Sequence, residues 1–249
     1  MCGRMTLCSS CDDIAEMFQL PELPPLEPRY NIAPTQVTLV VRRLPESTSR
    51  EAARLRWGLI PSWAKDSAIG SRLINARSES AAEKPAFRHA FRQRRCLVPT
   101  DGFYEWQHGG ARRQPFLIRL LKPKPFALGG LWETWTNPAG ETLETFTILT
   151  TAANDVVRPL HDRMPVILDP RSFDLWLDPA LRDPERLKPL LQPFPADALV
   201  AVPVSPMVND PHNEGAKCIQ PLPRAQAPPP PPRSRRKASD RDNGQQSLF

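Results

Sequence analysis

The chain has 249 residues, 31 of them proline, and a formal net charge of +6. This proline content, more than twice the average of about 5%, excludes a helix bundle or a coiled coil, because proline interrupts helices. The sequence contains no run of about 18 apolar residues and its polar first residues, MCGRMTLCSSCDD, predict no signal peptide, so we expect neither a membrane helix nor export. Five cysteines in such a chain predict free thiols in the reducing cytoplasm.

The predicted elements are mostly short strands between proline-rich loops. Ser10 or Asp12 predicts the cap of a first helix, and an extended loop at 21–34 follows. Strand-like runs lie at 37–41, 54–60, 116–121, 126–132, 143–150, 164–168 and 199–204. Helical patterns occupy 78–95, with an interruption at Pro85, then 172–177 and 184–191. Strands and helices do not alternate, so we predict an α+β fold: a curved, barrel-like, mostly antiparallel β-sheet core with peripheral helices.

The composition changes near residue 224. The segment 224–249 contains the run Pro228–Pro232 and almost no apolar residues before its last two, so we expect it to be a disordered tail. Six basic and two acidic residues give the tail a charge of +4, which leaves only +2 for residues 1–223. We therefore predict one catalytic domain at 1–223. No heptad pattern suggests self-association, so we expect a monomer.

Cys2 carries the most chemical information in the sequence. Removal of Met1, which is usual when a small residue follows, would place a thiol and a free α-amine on adjacent carbons. The α-amine has an ordinary pKa of about 7.7–8.0, so a useful fraction is neutral and nucleophilic. Such an aminothiol can form a Schiff base with an aldehyde through the amine and then close a thiazolidine ring through the thiol. The alternative is that Cys2 is only a small residue after the initiator.

Three other segments supply polar residues with catalytic potential. Asn75 lies in the polar segment NARSES, and His161 precedes an apolar strand in LHDRMPVIL. Glu105 lies between aromatic residues in DGFYEW, where a raised pKa would suit general acid–base catalysis. The structural alternatives are a helix cap for Asn75, a surface carboxylate for Glu105 and a loop side chain for His161. We predict no metal site and no cofactor, since Cys8 and Cys11 form the only C-x-x-C and no second ligand pair accompanies them.

Eight segments together resemble the SOS response-associated peptidase family, whose members shield abasic sites in single-stranded DNA. In chain order they are MCGR, RYNIAP, RWGLIPSW, INARSE, RRCLVPTDGFYEW, TILTTAA, LHDRMPVIL and VSPMVND, and they span residues 1 to about 223. The resemblance implies a covalent thiazolidine between Cys2 and the ring-opened abasic sugar. It also implies that Asn75 orients the amine or the sugar, that Glu105 shuttles protons, and that His161 assists ring opening and biases reversal.

The same resemblance implies a set of DNA-binding residues. Arginine side chains would hold the phosphates that flank the lesion, at Arg4, Arg77 and Arg163. Asn31, Trp63, Trp106 and Thr150 would line the DNA cleft, and a base stacked on an indole contributes about 1–3 kcal/mol. Trp57 and Trp176 are predicted core residues. The basic run that includes Arg94 and Arg95 either extends the phosphate track or forms the solvated face of a helix.

The last five residues, QQSLF, resemble the peptide that binds the bacterial sliding clamp. Leu248 and Phe249 would enter an apolar pocket of the clamp and Gln245 would make a polar contact, which would hold the domain near DNA at a raised effective concentration. The leading hypothesis is thus a DNA-crosslinking enzyme with lyase-like Schiff-base chemistry, in the cytoplasm and associated with the nucleoid. Two alternatives remain: a cysteine peptidase, including removal of its own Met1, and a non-catalytic adaptor for single-stranded DNA or the clamp.

Overall fold

The computed structural model of the protein describes residues 2–107 and 113–223, which form two β-sheets with short helices around them. The predicted clamp-binding residues Gln245, Leu248 and Phe249 lie outside the described residues. The strands are β1 (Met5–Leu7), β2 (Arg29–Ile32), β3 (Val37–Arg42), β4 (Glu51–Trp57), β5 (Asn75–Arg77), β6 (Arg95–Thr100), β7 (Gly102–Gln107), β8 (Gln114–Leu120), β9 (Phe126–Thr136), β10 (Thr142–Ala152), β11 (Arg163–Pro165), β12 (Ile167–Leu168) and β13 (Leu199–Pro203). The helices are α1 (Cys11–Phe18), α2 (Ser78–Ala81), α3 (Arg88–Gln93), α4 (Phe173–Leu177) and α5 (Pro184–Leu187).

The larger sheet closes on itself as a barrel of five strands, in the order β10, β4, β3, β6 and β9. The pairing of β9 with β10 completes the ring, and β4 with β10 is its parallel pair. Every residue of β6 is buried, because helix α4 covers the side of this strand that does not face the barrel interior. Trp57 stacks on Phe146 in the core, and its indole N–H donates to the Ile74 carbonyl over 2.9 Å. The predicted burial of Trp57 and Trp176 is confirmed.

The smaller sheet has the order β13, β8, β7, β1 and β2, so the first strand of the chain is an interior strand between β7 and β2. Met5 of β1 pairs with Phe103 of β7 and with Ile32 of β2. Pairing with both β2 and β7 fixes the position of the residues just before Met5. The amino end of the chain is also held against β5, which pairs with β10 of the barrel.

The chain direction changes sharply after β4, at Gly58. Its φ of +116° is a conformation that side chains rarely adopt, and a Cβ there would lie 2.5 Å from the Gly70 carbonyl oxygen. The Gly58 N–H donates to the Phe146 carbonyl over 2.8 Å, which ties the turn to the barrel. Glycine at this position lets the segment before β5 pack closely against the barrel.

The structure confirms the predicted fold class, including the curved and mostly antiparallel barrel. Ser10 caps α1, with its hydroxyl accepting from the Asp13 N–H over 3.1 Å, and all seven predicted strand regions contain strand residues. The strands β1, β2, β5, β6 and β7 were not predicted. Within the described part of the chain, no helix combines the length and apolar character needed to cross a bilayer.

Candidate active site

Cys2 lies just before β1 and is fully buried. The Asn75 side chain, at the start of β5, donates from Nδ2 to the Cys2 carbonyl over 2.7 Å. This bond links the amino end of the smaller sheet to the barrel, because β5 pairs in parallel with β10. The Asn75 Oδ1 is also buried and has no hydrogen-bond partner among the residues that the structure describes. A polar acceptor therefore faces the surroundings of Cys2 and remains available.

Glu105 lies beside Cys2 on the neighbouring strand β7. The Tyr104 N–H donates to the Arg4 carbonyl over 3.0 Å, so the antiparallel register continues from Met5 toward the amino end. Burial raises the pKa of the Cys2 thiol far above its ordinary value, and the charge of Glu105 adds to the rise. Burial likewise raises the pKa of Glu105 to about 7, although the charge and hydrogen bond of the amino terminus lower it; Asp162 adds a smaller rise. Near neutral pH the site thus holds a protonated thiol and a carboxyl group that can give or take a proton.

His161 enters from the segment before β11. Its Nδ1 accepts the Arg163 backbone N–H over 2.9 Å, and Asp162 Oδ1 lies 2.9 Å from the same nitrogen. The backbone donor requires a lone pair on Nδ1, so the neutral ring carries its proton on Nε2, whereas the protonated ring can donate from Nδ1 to Asp162. The Ala153 N–H donates to the Asp162 carbonyl over 3.0 Å and fixes this segment to the end of β10.

A groove of about 500 Å³ opens next to this cluster, lined by Gly3, Arg4, Trp106, Arg113 and Asn209. The Arg4 guanidinium lies 5.8 Å from the centre of the Trp106 ring, a cation–π distance. The Trp106 indole N–H donates to Asn209 Oδ1 over 2.7 Å, and Asn209 Nδ2 donates to the Arg113 carbonyl over 3.2 Å. Sequence reasoning missed Asn209 and Arg113; the segment VSPMVND contains Asn209 and was the available signal.

The predicted cleft residue Asn31 is fully buried beneath Arg4. Its Oδ1 accepts from Arg4 over 2.6 Å, while its Nδ2 donates to the carbonyls of Asp210 and Asn213. Asn31 therefore holds Arg4 against the 205–219 segment and has no surface of its own to offer to DNA. Trp63 has the opposite environment: 60% of it is exposed, as its predicted position in a loop requires.

The other two predicted phosphate-binding arginines differ in how free their side chains are to contact DNA. Arg77, at the end of β5, is exposed. Arg163 makes a two-pronged ion pair with Glu79, at 2.6 and 2.8 Å, and also donates to the Thr150 carbonyl over 2.5 Å. Hydrogen bonding from Arg163 lowers the pKa of Glu79. Thr150 is fully buried, so it supports Arg163 and does not line an open cleft.

Both interpretations of the later basic run, a phosphate track and the solvated face of a helix, are wrong for Arg95, which lies in β6. This side chain is buried and donates to five backbone carbonyls, among them those of Trp176 and Phe91 at 2.6 and 2.7 Å. Burial lowers the pKa of Arg95 to about 10. Arg94 pairs with the buried Glu133. Both arginines therefore serve the packing of the barrel against α3 and α4.

Metal binding finds no support in the described ranges 2–107 and 113–223. No group of three or more His, Cys, Asp or Glu side chains in them could hold a metal ion. All five cysteines are free. The chemistry that the cluster offers is that of a thiol, a carboxyl group and an amide near the amino end, and His161 precedes Asp162, whose charge acts on Glu105.

Comparison with known proteins identifies the family. A family model described as SOS response associated peptidase (SRAP) matches residues 1–211. The chain belongs to the SRAP family. The family resemblance drawn from the eight sequence segments is thus confirmed, and the SRAP match covers Cys2, Asn75, Glu105, His161 and Asn209.

Similar proteins extend this SRAP assignment. The abasic site processing protein YoqW of Bacillus subtilis (strain 168) is 43% identical over 224 residues, which cover 88% of this chain and 99% of that protein. The abasic site processing protein HMCES of Gallus gallus is 31% identical over 225 residues, covering 78% of this chain and 66% of that protein. A crystal structure of a Bacteroides thetaiotaomicron protein superposes on this SRAP chain with a TM-score of 0.79 at 26% identity, covering 89% of this chain and 100% of that one.

Proposed function

We propose that this protein processes abasic sites in single-stranded DNA by forming a covalent thiazolidine through Cys2. The observation that carries the proposal is the cluster around Cys2, where Asn75 bonds to its carbonyl and Glu105, with a pKa of about 7, lies beside it. The names of the relatives, which describe abasic site processing, support the same substrate. The proposal requires removal of Met1, because only then does Cys2 carry the free α-amine. In the chain that retains Met1, Cys2 is fully buried.

The reaction joins the aminothiol to the aldehyde form of the abasic sugar. The Cys2 amine attacks the aldehyde carbon C1′, and the resulting carbinolamine loses water to give a Schiff base. The thiol sulfur then adds to C1′, its proton passes to a base, and the nitrogen retains one hydrogen. The net change is one C–N bond, one C–S bond and one released water. A neutral thiol suits this order of steps, because the sulfur reacts after the amine has brought C1′ beside it.

Glu105 is the acid and base in this scheme. With a pKa of about 7 it can protonate the leaving hydroxyl and then accept the thiol proton. The buried Oδ1 of Asn75 accepts a hydrogen bond from the amine or a sugar hydroxyl. His161 assists opening of the sugar ring from its Nε2 side and biases reversal of the crosslink. A Schiff base at an abasic site can also undergo β-elimination, so weak strand cleavage accompanies the scheme.

DNA binding in this proposal depends on a few placed side chains, because residues 1–223 carry a net charge of only +2. Arg77 is exposed and contacts a phosphate directly. Arg4 is already hydrogen-bonded to Asn31, and Arg163 is paired with Glu79, so these two offer DNA only their outer N–H groups. Trp106 and the exposed Trp63 provide stacking surfaces for bases. Asn31 and Thr150 act through Arg4 and Arg163.

A denaturing gel tests the proposal. The protein is incubated with a single-stranded oligonucleotide that carries one abasic site, and a shifted covalent species is expected. The species should vanish with Cys2→Ala and persist with Cys8→Ala, a control at another cysteine near the amino end. Intact mass should show that Met1 is absent. A retained Met1 with an undiminished crosslink would contradict the role of the Cys2 amine.

The same experiment separates the alternatives. Turnover of peptides without a shifted DNA species would favour the cysteine peptidase, to which the family name points. Salt-sensitive native binding without covalent product would favour the adaptor. Cleavage of the strand without retention of the protein would indicate a lyase that releases its product.

Recruitment to replicating DNA is a separate proposal and depends on residues 245–249. We propose that Gln245, Leu248 and Phe249 bind the sliding clamp and so associate the protein with the nucleoid. Deletion of residues 245–249 should abolish binding to purified clamp and leave crosslinking of a free oligonucleotide unchanged. Equal clamp binding by the full and shortened chains would refute this part of the proposal.

A further inference from the structure

An apolar cavity of about 410 Å³ lies away from the active site, between the end of β8, the start of β9, β12 and helix α4. Its walls include Leu120, Phe126, Ile167, Phe173 and Phe194. It shares no lining residue with the groove at Arg4 and Trp106. A cavity of this size and composition can accept one or two large apolar side chains.

The rim of this cavity suits a peptide. Leu121, at the mouth, is 60% exposed, which is unusual for a leucine that adjoins an apolar cavity. Lys122 and Lys124 also line the cavity and are exposed. The acidic Asp169 on the same rim is already paired with Arg171 at 2.9 Å. The rim therefore carries both signs of charge, with Lys122 and Lys124 near the paired Asp169 and the exposed Asp197.

A second groove, of about 480 Å³, connects the cavity with the end of the described chain. Ile219 and Pro221 line one end of this groove, and the last described residue is Pro223. Lys124 and Pro125 belong to both the groove and the cavity, so the two adjoin. A chain that leaves Pro223 thus starts beside a depression that leads to the cavity.

We propose that the cavity binds the end of this same chain, with Leu248 and Phe249 inside it. These are the only large apolar residues after residue 223, which suits them to the apolar walls of the cavity. The 26 residues of 224–249 can extend to about 86 Å, which exceeds any path across a domain of this size. The length of the tail and its terminal apolar pair therefore both permit docking within one molecule.

The consequence is competition for one pair of side chains. Leu248 and Phe249 are also the residues that we propose to enter the clamp, so this consequence rests on that part of the proposed function. When they occupy the cavity they are hidden from the clamp, and when the clamp holds them the cavity is open. Docking would lower the apparent clamp affinity by the fraction of molecules in the closed form.

Photocrosslinking of the full-length protein tests the docking without DNA or clamp. With p-benzoyl-phenylalanine in place of Phe249, irradiation should give an intramolecular crosslink to residues of the cavity, with Met17 and Leu121 as mapped sites. Leu121→Lys should reduce the yield about tenfold, because it places a charge at the apolar mouth. Val37→Lys changes another exposed apolar residue, 49% exposed and outside this cavity, and should leave the yield unchanged.

Crosslinks between two molecules, no crosslink, or equal loss in both lysine variants would each overturn the proposal. A second measurement compares clamp binding by the wild type and Leu121→Lys, with higher affinity expected for the variant. Absence of clamp binding in both proteins would refute the recruitment proposal and leave the crosslinking result valid. Failure of docking and failure of recruitment are therefore distinguishable.

Discussion

Ionisation of Glu105 should lower the stability of the protein near neutral pH, where we propose that this group acts as acid and base. Its carboxyl group is buried, and its pKa is raised from the ordinary 4.5 to about 7. Below pH 4.5 the group is protonated in both the folded and the unfolded chain and contributes nothing to this difference. As the pH rises toward 7 the unfolded chain loses this proton first, so the free energy of unfolding falls. Above both pKa values the loss reaches roughly 3 kcal/mol.

Replacing Glu105 by glutamine removes this loss, because the amide has a similar shape and cannot ionise. Urea denaturation should show Glu105→Gln more stable than the wild type by roughly 3 kcal/mol near pH 8 and about equally stable near pH 4. Glu46→Gln alters an exposed carboxylate and should change stability little at either pH. The crosslinking rate of Glu105→Gln should also lose the part of its pH dependence that Glu105 contributes and keep the part that comes from the Cys2 amine. A stability difference that is the same at both pH values would refute the reasoning.

Three further substitutions test other parts of the structure. Arg77→Ala should weaken binding to single-stranded DNA and reduce the slope of log affinity against log salt by about 0.7, as measured by fluorescence anisotropy; an unchanged slope would exclude a phosphate contact. Asn209→Ala removes the acceptor of the Trp106 indole and should weaken binding of an abasic oligonucleotide about fivefold without altering the pH profile of crosslinking. Gly58→Ala should lower the free energy of unfolding by about 2–3 kcal/mol. Gly140 also has a positive φ but open space around it, so Gly140→Ala should lower the free energy of unfolding by only about 1 kcal/mol. Equal effects would show that the contact at Gly58 is unimportant.

The strands predicted from the sequence are those with long apolar or alternating runs, such as β9 and β10. The strands that were not predicted are short or interrupted. β1 and β5 have three residues each, β6 contains Pro99, and β7 begins at Gly102. Local patterns do not indicate strands of this kind, because their pairing comes from partners far away in the chain. They also position Cys2, Asn75 and Glu105, so the part of the fold that builds the site was the least predictable.

The candidate residues themselves were visible in the sequence, and the structure brings Cys2, Asn75 and Glu105 together. Their proposed roles remain predictions. What the sequence could not show is which polar groups are already engaged. Glu79 pairs with Arg163 from 84 positions away, and the burial of Asn31 depends on carbonyls more than 170 positions away. Such contacts are set by the tertiary fold, so the distinction between residues that touch DNA and residues that support them required the structure.

The position of β1 between β2 and β7 has a consequence for the order of events during synthesis. Its partners β2 and β7 are complete only when residues 32 and 107 have been made, so the first residues of the chain stay unpaired until nearly half of this domain has been synthesised. Excision of Met1 therefore has its opportunity on the growing chain, while the amino end is still accessible to a processing enzyme. After folding, Cys2 has no exposed surface. A tag or extension placed before Met1 would persist into the folded protein and block the amine that the proposed reaction needs.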